Sequence, residues 1–409
     1  MSPFYIFAGT RTPFCRMGSD LDPLDAADLG RHAASAVLTQ SGIDPGEISE
    51  VIFGCVAQPA DAANIARVIA LRAGVPEHVP AATVHRNCAS GMEAVTTAAQ
   101  RAAAGHGDLF LVGGTESMSR IPLLYSHATA KKFARLQRAK SLGQKLSALT
   151  SFHTADFKPR IGLQLGLTDP VSGMIMGDTA ELLAREYDIS RSEQDAFAAE
   201  SHRKALNAMD ALKSEISPVY VNGKAVTSDN GIRDDSTPER LAKLRPIFDK
   251  RTGTVTAGNS SQVTDGAVAL LVGSGSAANR LGLQPLARIT GYAYAGCDPA
   301  RMGLGPVHAI ERLRQRGIDP HSAELVELNE AFAAQAIAVL KELSKSGFDI
   351  PPEKLNRRGG AIALGHPVGA TGARLILTAL DQLRELNAHR ALCTLCIGGG
   401  QGAALFLER

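Results

Sequence analysis

Three side chains far apart in the chain have the chemistry of a covalent acyl carrier and its proton-transfer partners. Cys88 stands in His85-Arg86-Asn87-Cys88-Ala89-Ser90-Gly91, just before a run from Met92 to Ala99 that reads as the first turns of a helix. A thiol at a helix N-terminus meets unpaired N–H groups and the positive end of the macrodipole, which favours thiolate and nucleophilicity. The competing reading is a small buried hydrophobe, the state of most free cysteines. His366 stands in Gly365-His366-Pro367, in a loop that Pro367 stiffens and that Gly369 and Gly372 let turn closely. Its imidazole could take a thiol proton, or it could be a satisfied core histidine. Cys396 precedes Gly398, Gly399 and Gly400, whose N–H groups suit an oxyanion. It could equally be a core cysteine, or pair with Cys393 for redox or metal work. That pair is weak for metal, with no second pair at ligand spacing. Within a strand, positions three apart also face opposite ways. Asn329-Glu330 follows a strand-like run and either orients water and imidazole or caps the next helix.

The elements needed to bring these groups together occur twice. A helical pattern over Ala26–Gln40 leads through Gly42-Ile43-Asp44-Pro45 into the apolar run Val51–Gly54. A second helical pattern, Val307–Arg316, leads through Gly317-Ile318-Asp319-Pro320 into Leu325–Leu328. The Cys88 loop and helix are matched, at nearly the same offset, by the His366 loop and helix. Each helix then leads to a strand carrying glycines, Leu109–Gly114 and Ala391–Gly400. Matched landmarks in one order imply two copies of an α/β unit with pseudo-twofold symmetry, too few for a solenoid. Groups at strand ends and helix starts would then converge between the copies. The expected boundaries are 1–116 for the first part of the N-terminal half, 117–250 for an inserted loop domain that contacts substrate, 251–275 for the end of that half, and 276–409 for the C-terminal half. Within the insertion, Asp178 or Thr179 is expected to cap a helix running to Tyr187, with a second over Ser190–Met209.

A chain of 409 residues exceeds what one core fills. With 43 basic and 41 acidic residues, nothing global points to nucleic acid. Hydrophobic content of 44 % with 40 glycines fits a compact α/β protein, and six cysteines do not look like a disulfide framework. No cleavable signal and no apolar run near spanning length are visible, so a cytoplasmic protein is expected.

Taken together, Asn87-Cys88-Ala89-Ser90-Gly91, Asn329-Glu330-Ala331-Phe332, the run from Gly359 to Arg374 and Cys396-Ile397-Gly398-Gly399-Gly400-Gln401-Gly402 resemble the thiolase family. Gly253–Ser261 and Asp265-Gly266-Ala267 match it too. The resemblance covers almost the whole chain. It implies duplicated α/β halves in a layered α-β-α-β-α arrangement with an inserted loop domain. It also implies CoA-dependent thiolytic cleavage of 3-ketoacyl-CoA, or the reverse Claisen condensation, through an acyl-cysteine. On these residues Cys88 would carry the acyl group, His366 would be its base, and Cys396 would move the C2 proton. One oxyanion site would combine His366 with a water held by Asn329; the other would use the N–H groups of Cys88 and Gly398. Ser261 and Met176 would lie along the pantetheine of coenzyme A, a substrate, with no tightly bound cofactor and no metal. A homodimer or homotetramer is implied. Ile175 departs from the pattern, since many thiolases carry histidine there beside a short acyl chain, and strict acetoacetyl specificity does not carry over.

Between Lys131 and Arg160 stand eight Lys or Arg against one acidic residue, Asp156, with Phe133, Leu136, Leu142, Leu146 and Leu149 at helical spacing. One basic amphipathic helix is expected, serving as an ordinary solvated helix, an attraction for CoA phosphates, or a membrane-surface or partner contact. Ala139–Gln144 resembles β subunits of fatty-acid-oxidation trifunctional complexes, which implies a degradative enzyme with a hydratase/dehydrogenase α subunit. The alternatives are a biosynthetic acetoacetyl-CoA thiolase and a CoA- or lipid-binding protein with a dead site. A decarboxylating ketoacyl synthase is disfavoured by the second cysteine before the glycines.

Overall fold

The computed structural model describes residues 3–409, which divide into two compact units. The larger takes the chain up to Arg120 and again from Asp169 to Arg409; the smaller is Ile121–Thr168. The smaller unit thus lies inside the 117–250 stretch, while residues 169–250 pack with the larger body.

In the larger unit nine strands form one hydrogen-bonded path: β1 (Phe4–Arg11), β2 (Glu50–Gly54), β3 (Ala81–Val84), β4 (Leu109–Glu116), β5 (Thr264–Ser274), β6 (Ala287–Gly296), β7 (Leu325–Leu328), β8 (Arg390–Ile397) and β9 (Gln401–Glu408). Their order is β7-β8-β9-β6-β1-β5-β4-β2-β3. At the centre β1 and β6 pair antiparallel through Tyr5 with Arg288 and Ile6 with Ala287. Read outward from that pair, β1-β5-β4-β2 and β6-β9-β8-β7 repeat one order. On the first side β3 runs parallel to β2; on the second, a single parallel bridge between Val326 and Leu355 takes its place. The duplication in the sequence is therefore a duplication of strand order. The local signals repeat as well: the Asp44 side chain accepts from the Gly46 N–H and opens a short turn at Pro45, and Asp319 does the same with His321 at Pro320.

Layering follows from burial. Helices Ala26–Ser41 and Ile65–Arg72 cover one face of the first half with Leu29, Val37, Ile65 and Ile69. Helices Gly305–Gln315 and Ala333–Lys345 cover the second with Ile310, Leu313 and Val339. Between the halves lie two helices packed on each other, Ser90–Ala103, called here the Cys88 helix, and Val368–Glu385, the His366 helix. The His366 helix touches strands of both halves and is buried nearly all round, including Arg374, Thr378 and Gln382, as a helix in a central layer must be. Its Arg374 is paired with Glu327, and Gln382 donates to the same carboxylate.

Two helix starts differ from expectation. The helix at Met176–Glu186 begins after Ile175 without a side-chain cap; Thr179 donates to the Met176 carbonyl and Asp178 lies in the first turn, where its charge suits the dipole. The next, Arg191–Asn207, opens on a Ser190–Glu193 capping box.

The smaller unit holds helices His127–Arg138 and Leu142–Leu149, a ribbon pairing Leu123–Leu124 with Arg160–Ile161, and a cluster of Tyr125, Phe133, Phe152 and Phe157. The single amphipathic helix expected there is two. Ser141 and Gln144 form a capping box, which starts a new helix and ends the old one near Ala139. Among the described residues no helix is long and apolar enough to cross a membrane.

Candidate active site

Cys88 lies just ahead of its helix on a backbone shaped by Asn87, whose φ of 42° is left-handed, a conformation Asn tolerates better than most residues. Ser90 tightens the loop by donating to the Asn87 carbonyl and accepting the Arg86 N–H. Asn87 then reaches into the second half, where Nδ2 donates to the Gly398 carbonyl at 2.7 Å. This clamp aims the Gly398 N–H at the sulfur: the N–H groups of Gly398 and of Cys88 itself both favour the thiolate. Burial opposes them and wins, so the Cys88 thiol is pushed up. The depressed pKa expected from the helix terminus is overturned; desolvation outweighs two N–H contacts. A neighbouring base is therefore needed to ionise it.

His366 is half-buried, and its Nδ1 lies 2.6 Å from Thr371 Oγ1. Thr371 donates its one proton to the Pro367 carbonyl, so it accepts from Nδ1–H and leaves Nε2 with the lone pair. No protein group among the described residues hydrogen-bonds Nε2. Burial, helped by the Arg374 charge, lowers His366 to about 4, which keeps the imidazole neutral at neutral pH. A satisfied core histidine would use both nitrogens; here Nε2 has no partner among the described residues.

The starts of the two central helices meet. A Cβ on Gly91 would lie 2.8 Å from the Ala373 nitrogen and 2.9 Å from the Gly369 carbonyl, so only glycine permits this approach. Cys88 and His366 each stand three residues before one of these glycines.

Cys396, on β8, is buried with Met302 and Ala331, and Met176 and Phe332 pack against the same cluster. Burial pushes its thiol far up, and the proximity of Cys88 adds to this, which places the two sulfurs in one electrostatic neighbourhood. Cys393 lies elsewhere, with its thiol against the Leu375 carbonyl. Among the described residues no group of His, Cys, Asp and Glu has metal-holding geometry.

Asn329 is fully buried, yet neither its amide nitrogen nor its amide oxygen has a partner. An orphaned buried amide costs about 1–3 kcal/mol unless something outside the protein uses it. It does not cap the following helix, which starts at Ala333 after Phe332. Glu330 instead accepts from Ser201, Asn356 and the Ile362 N–H, fastening the segment that leads to His366. Ser261 is held by its N–H to the Ala331 carbonyl, next to this strand exit. The Met176 sulfur lies 3.3 Å from where a Cβ on Gly398 would be. The structure thus gathers Cys88, Cys396, Gly398 and Met176 around one turn, with Asn329 and Ser261 along the neighbouring strand exit. Sequence reading missed Asn87 and Thr371, which stand inside recognised motifs but take their roles from partners that only the fold supplies.

Known proteins resemble this chain along its whole length. Residues 4–276 match the family described as Thiolase, N-terminal domain, and residues 283–409 match Thiolase, C-terminal domain. A probable acetyl-CoA acyltransferase of Staphylococcus aureus (strain MRSA252) is 40 % identical over 417 residues, covering all of both chains. Among solved structures, the Bacillus anthracis acetyl-CoA acetyltransferase superposes with a TM-score of 0.89 at 37 % identity, covering 100 % of this chain and 99 % of that one. Human mitochondrial 3-ketoacyl-CoA thiolase in complex with CoA superposes at 0.88 and 36 % identity, covering 100 % and 98 %.

Proposed function

The chain belongs to the thiolase family, and from that premise we propose that it cleaves 3-ketoacyl-CoA thiolytically, with Cys88 as the acyl carrier. As a thiolase it is an acyltransferase for which coenzyme A is a substrate. The observation that supports the site assignment is the clamp by which Asn87, next to Cys88 in the first half, donates at 2.7 Å to the carbonyl of Gly398, two residues after Cys396 in the second.

In this reading Nε2 of His366 takes the Cys88 proton as sulfur attacks the C3 carbonyl of the substrate. The C2–C3 bond breaks, and the electron pair left on C2 takes the proton of Cys396, releasing acetyl-CoA. Coenzyme A then gives its thiol proton to the Cys396 thiolate and attacks the acyl-Cys88 carbonyl. Cys88 leaves, recovers its proton from His366, and the shortened acyl-CoA departs. The N–H groups of Cys88 and Gly398 hold the oxyanion formed on the acyl carbon. The unpartnered Asn329 amide holds a water that, with His366, stabilises charge on the thioester oxygen of the acetyl-CoA enolate. Each such donor supplies about 2.7–4 kcal/mol to a transition state. Met176 and Ser261 line the path of the pantetheine.

The degradative direction, fatty-acid β-oxidation, is supported by Ile175 in place of a pocket histidine and by the Ala139–Gln144 resemblance. Biosynthetic acetoacetyl-CoA formation is the second reading, since the Bacillus anthracis structure carries the name acetyl-CoA acetyltransferase. We assign the enzyme to the cytoplasm as a homodimer or homotetramer. Residues 131–160 then serve as the contact with a membrane surface or with a hydratase/dehydrogenase α subunit. A thiolysis series from four to sixteen acyl carbons tests the substrate range. Flat or rising kcat/KM with length is expected; activity confined to four carbons would replace the degradative reading with the biosynthetic one.

A further inference from the structure

We infer that Glu116 is a positioning residue of the acyl-transfer site, clamping the first turn of the His366 helix to the first half of the molecule beside Cys88. This rests on the reading of Cys88 and His366 as nucleophile and base.

Glu116 ends β4 and is fully buried. Its carboxylate accepts three backbone N–H groups: Val56 at 3.0 Å, Ala57 at 2.9 Å and Gly369 at 2.9 Å. The Cys55 thiol lies 3.6 Å from the same carboxylate. Cys55 to Ala57 follow β2 in the first half; Gly369 is the second residue of the His366 helix. One side chain therefore joins both halves where their helix starts meet. Only a carboxylate has the acceptor capacity for this set, and its charge suits the unpaired N–H groups of a helix start. Gly369 is cut to fit, because a Cβ there would lie 2.7 Å from the Thr115 carbonyl and 2.9 Å from Glu116 Oε2.

Burial among apolar residues would serve a purely structural joint equally well, so the charge needs a reason. Of the titratable groups on the elements packed there, Glu116 from β4 and Cys396 on β8 act on Cys88, and its own loop carries His85 and Arg86. Arg86 is already paired with Glu93 and seated 4.1 Å over the Tyr294 ring. Among the described residues Glu116 has no cationic partner; burial pushes its carboxyl up against the three N–H groups that hold it down, and its charge adds a smaller push to the burial that keeps the Cys88 thiol up. Glu116 thus adds to the burial that keeps Cys88 a thiol, while fixing the helix start three residues after His366.

The test uses Glu116→Gln and Glu116→Asp in the full chain, with turnover and the pH profile of Cys88 alkylation by iodoacetamide, read at the Cys88 peptide by mass spectrometry. In Glu116→Gln an amide nitrogen faces a backbone donor, so kcat is expected to fall about tenfold or more, with KM for CoA little changed. Its alkylation profile is expected to move to lower pH, because the opposing charge is gone. Exposure of Cys88 in a misfolded variant would also ease its ionisation, so the profile is read on Glu116→Gln enzyme whose thermal unfolding midpoint matches wild type. Glu116→Asp keeps the charge and shortens the reach, so turnover falls and the alkylation profile stays. An unmoved profile in Glu116→Gln, or wild-type turnover in Glu116→Asp, overturns the inference; if Glu116→Gln does not fold, Glu116→Asp decides it. If acetyl-CoA does not acetylate Cys88 in the wild-type enzyme, the nucleophile reading itself fails. Acetylated wild-type Cys88 with indifferent Glu116 variants fells only the positioning role.

Discussion

Thr371 has one hydroxyl proton, and the Pro367 carbonyl receives it, so the lone pair of His366 is left on Nε2. Without that hydroxyl, Nδ1–H loses its acceptor and the tautomer is no longer fixed. Thr371→Val keeps the shape and removes the acceptor. Its kcat is expected to fall about 10- to 100-fold, the worth of one buried hydrogen bond of 1–3 kcal/mol, with KM for CoA nearly constant. Thr371→Ser should restore turnover, and a Thr371→Val enzyme at full kcat would remove the base from His366. Much at this scale was legible: Cys88, His366, Cys396 and Asn329 stand in motifs whose residue types announce their chemistry. What could not be read was the direction of the Cys88 shift. A helix start predicts easier ionisation, but burial is a property of the packed molecule, and it outweighs the N–H contacts.

Elements were legible where a cap or a break has a local signature. The Ser141–Gln144 box is a Ser-x-x-Gln pattern visible in the chain, yet the apolar spacing continues across it and suggests one helix. Periodicity reports a face and not its interruptions. The second of these helices carries Leu142, Leu146 and Leu149 at 84 %, 63 % and 53 % exposure, an apolar stripe in a segment whose one acidic residue is already bound to Lys132. Such a combination suits an anionic membrane surface, where each basic residue near the lipid adds about 1 kcal/mol. Cosedimentation is expected with vesicles containing phosphatidylserine and not with phosphatidylcholine alone, weakening as salt rises. Leu142→Asp with Leu146→Asp should cut that affinity at least tenfold, since burying each leucine supplies about 1.5–3 kcal/mol. Binding equal on both lipids, or unchanged by the double substitution, would leave the stripe to a protein partner.

At the scale of the molecule, the Gly-Ile-Asp-Pro phrase and the paired loop-helix-strand runs announced a duplication, and the strand order displays it on either side of the β1–β6 pair. The chain did not announce its joints. Asn87 to Gly398, Glu116 to Gly369 and Gly91 against Ala373 are contacts between segments hundreds of positions apart, and no local propensity encodes them. They bring a thiol from one half to a thiol from the other. If that meeting is a site of acyl transfer, acetyl-CoA alone should leave a thioester on one sulfur. The measurement is mass spectrometry of the intact enzyme and its Cys88 peptide after brief mixing with acetyl-CoA and acid quenching. The expected result is one acetyl group on Cys88, absent in Cys88→Ser and present in Cys396→Ala, which retains the acyl carrier but cannot complete condensation. An unmodified Cys88 in active enzyme, or an acetyl group on Cys396 instead, would contradict the account.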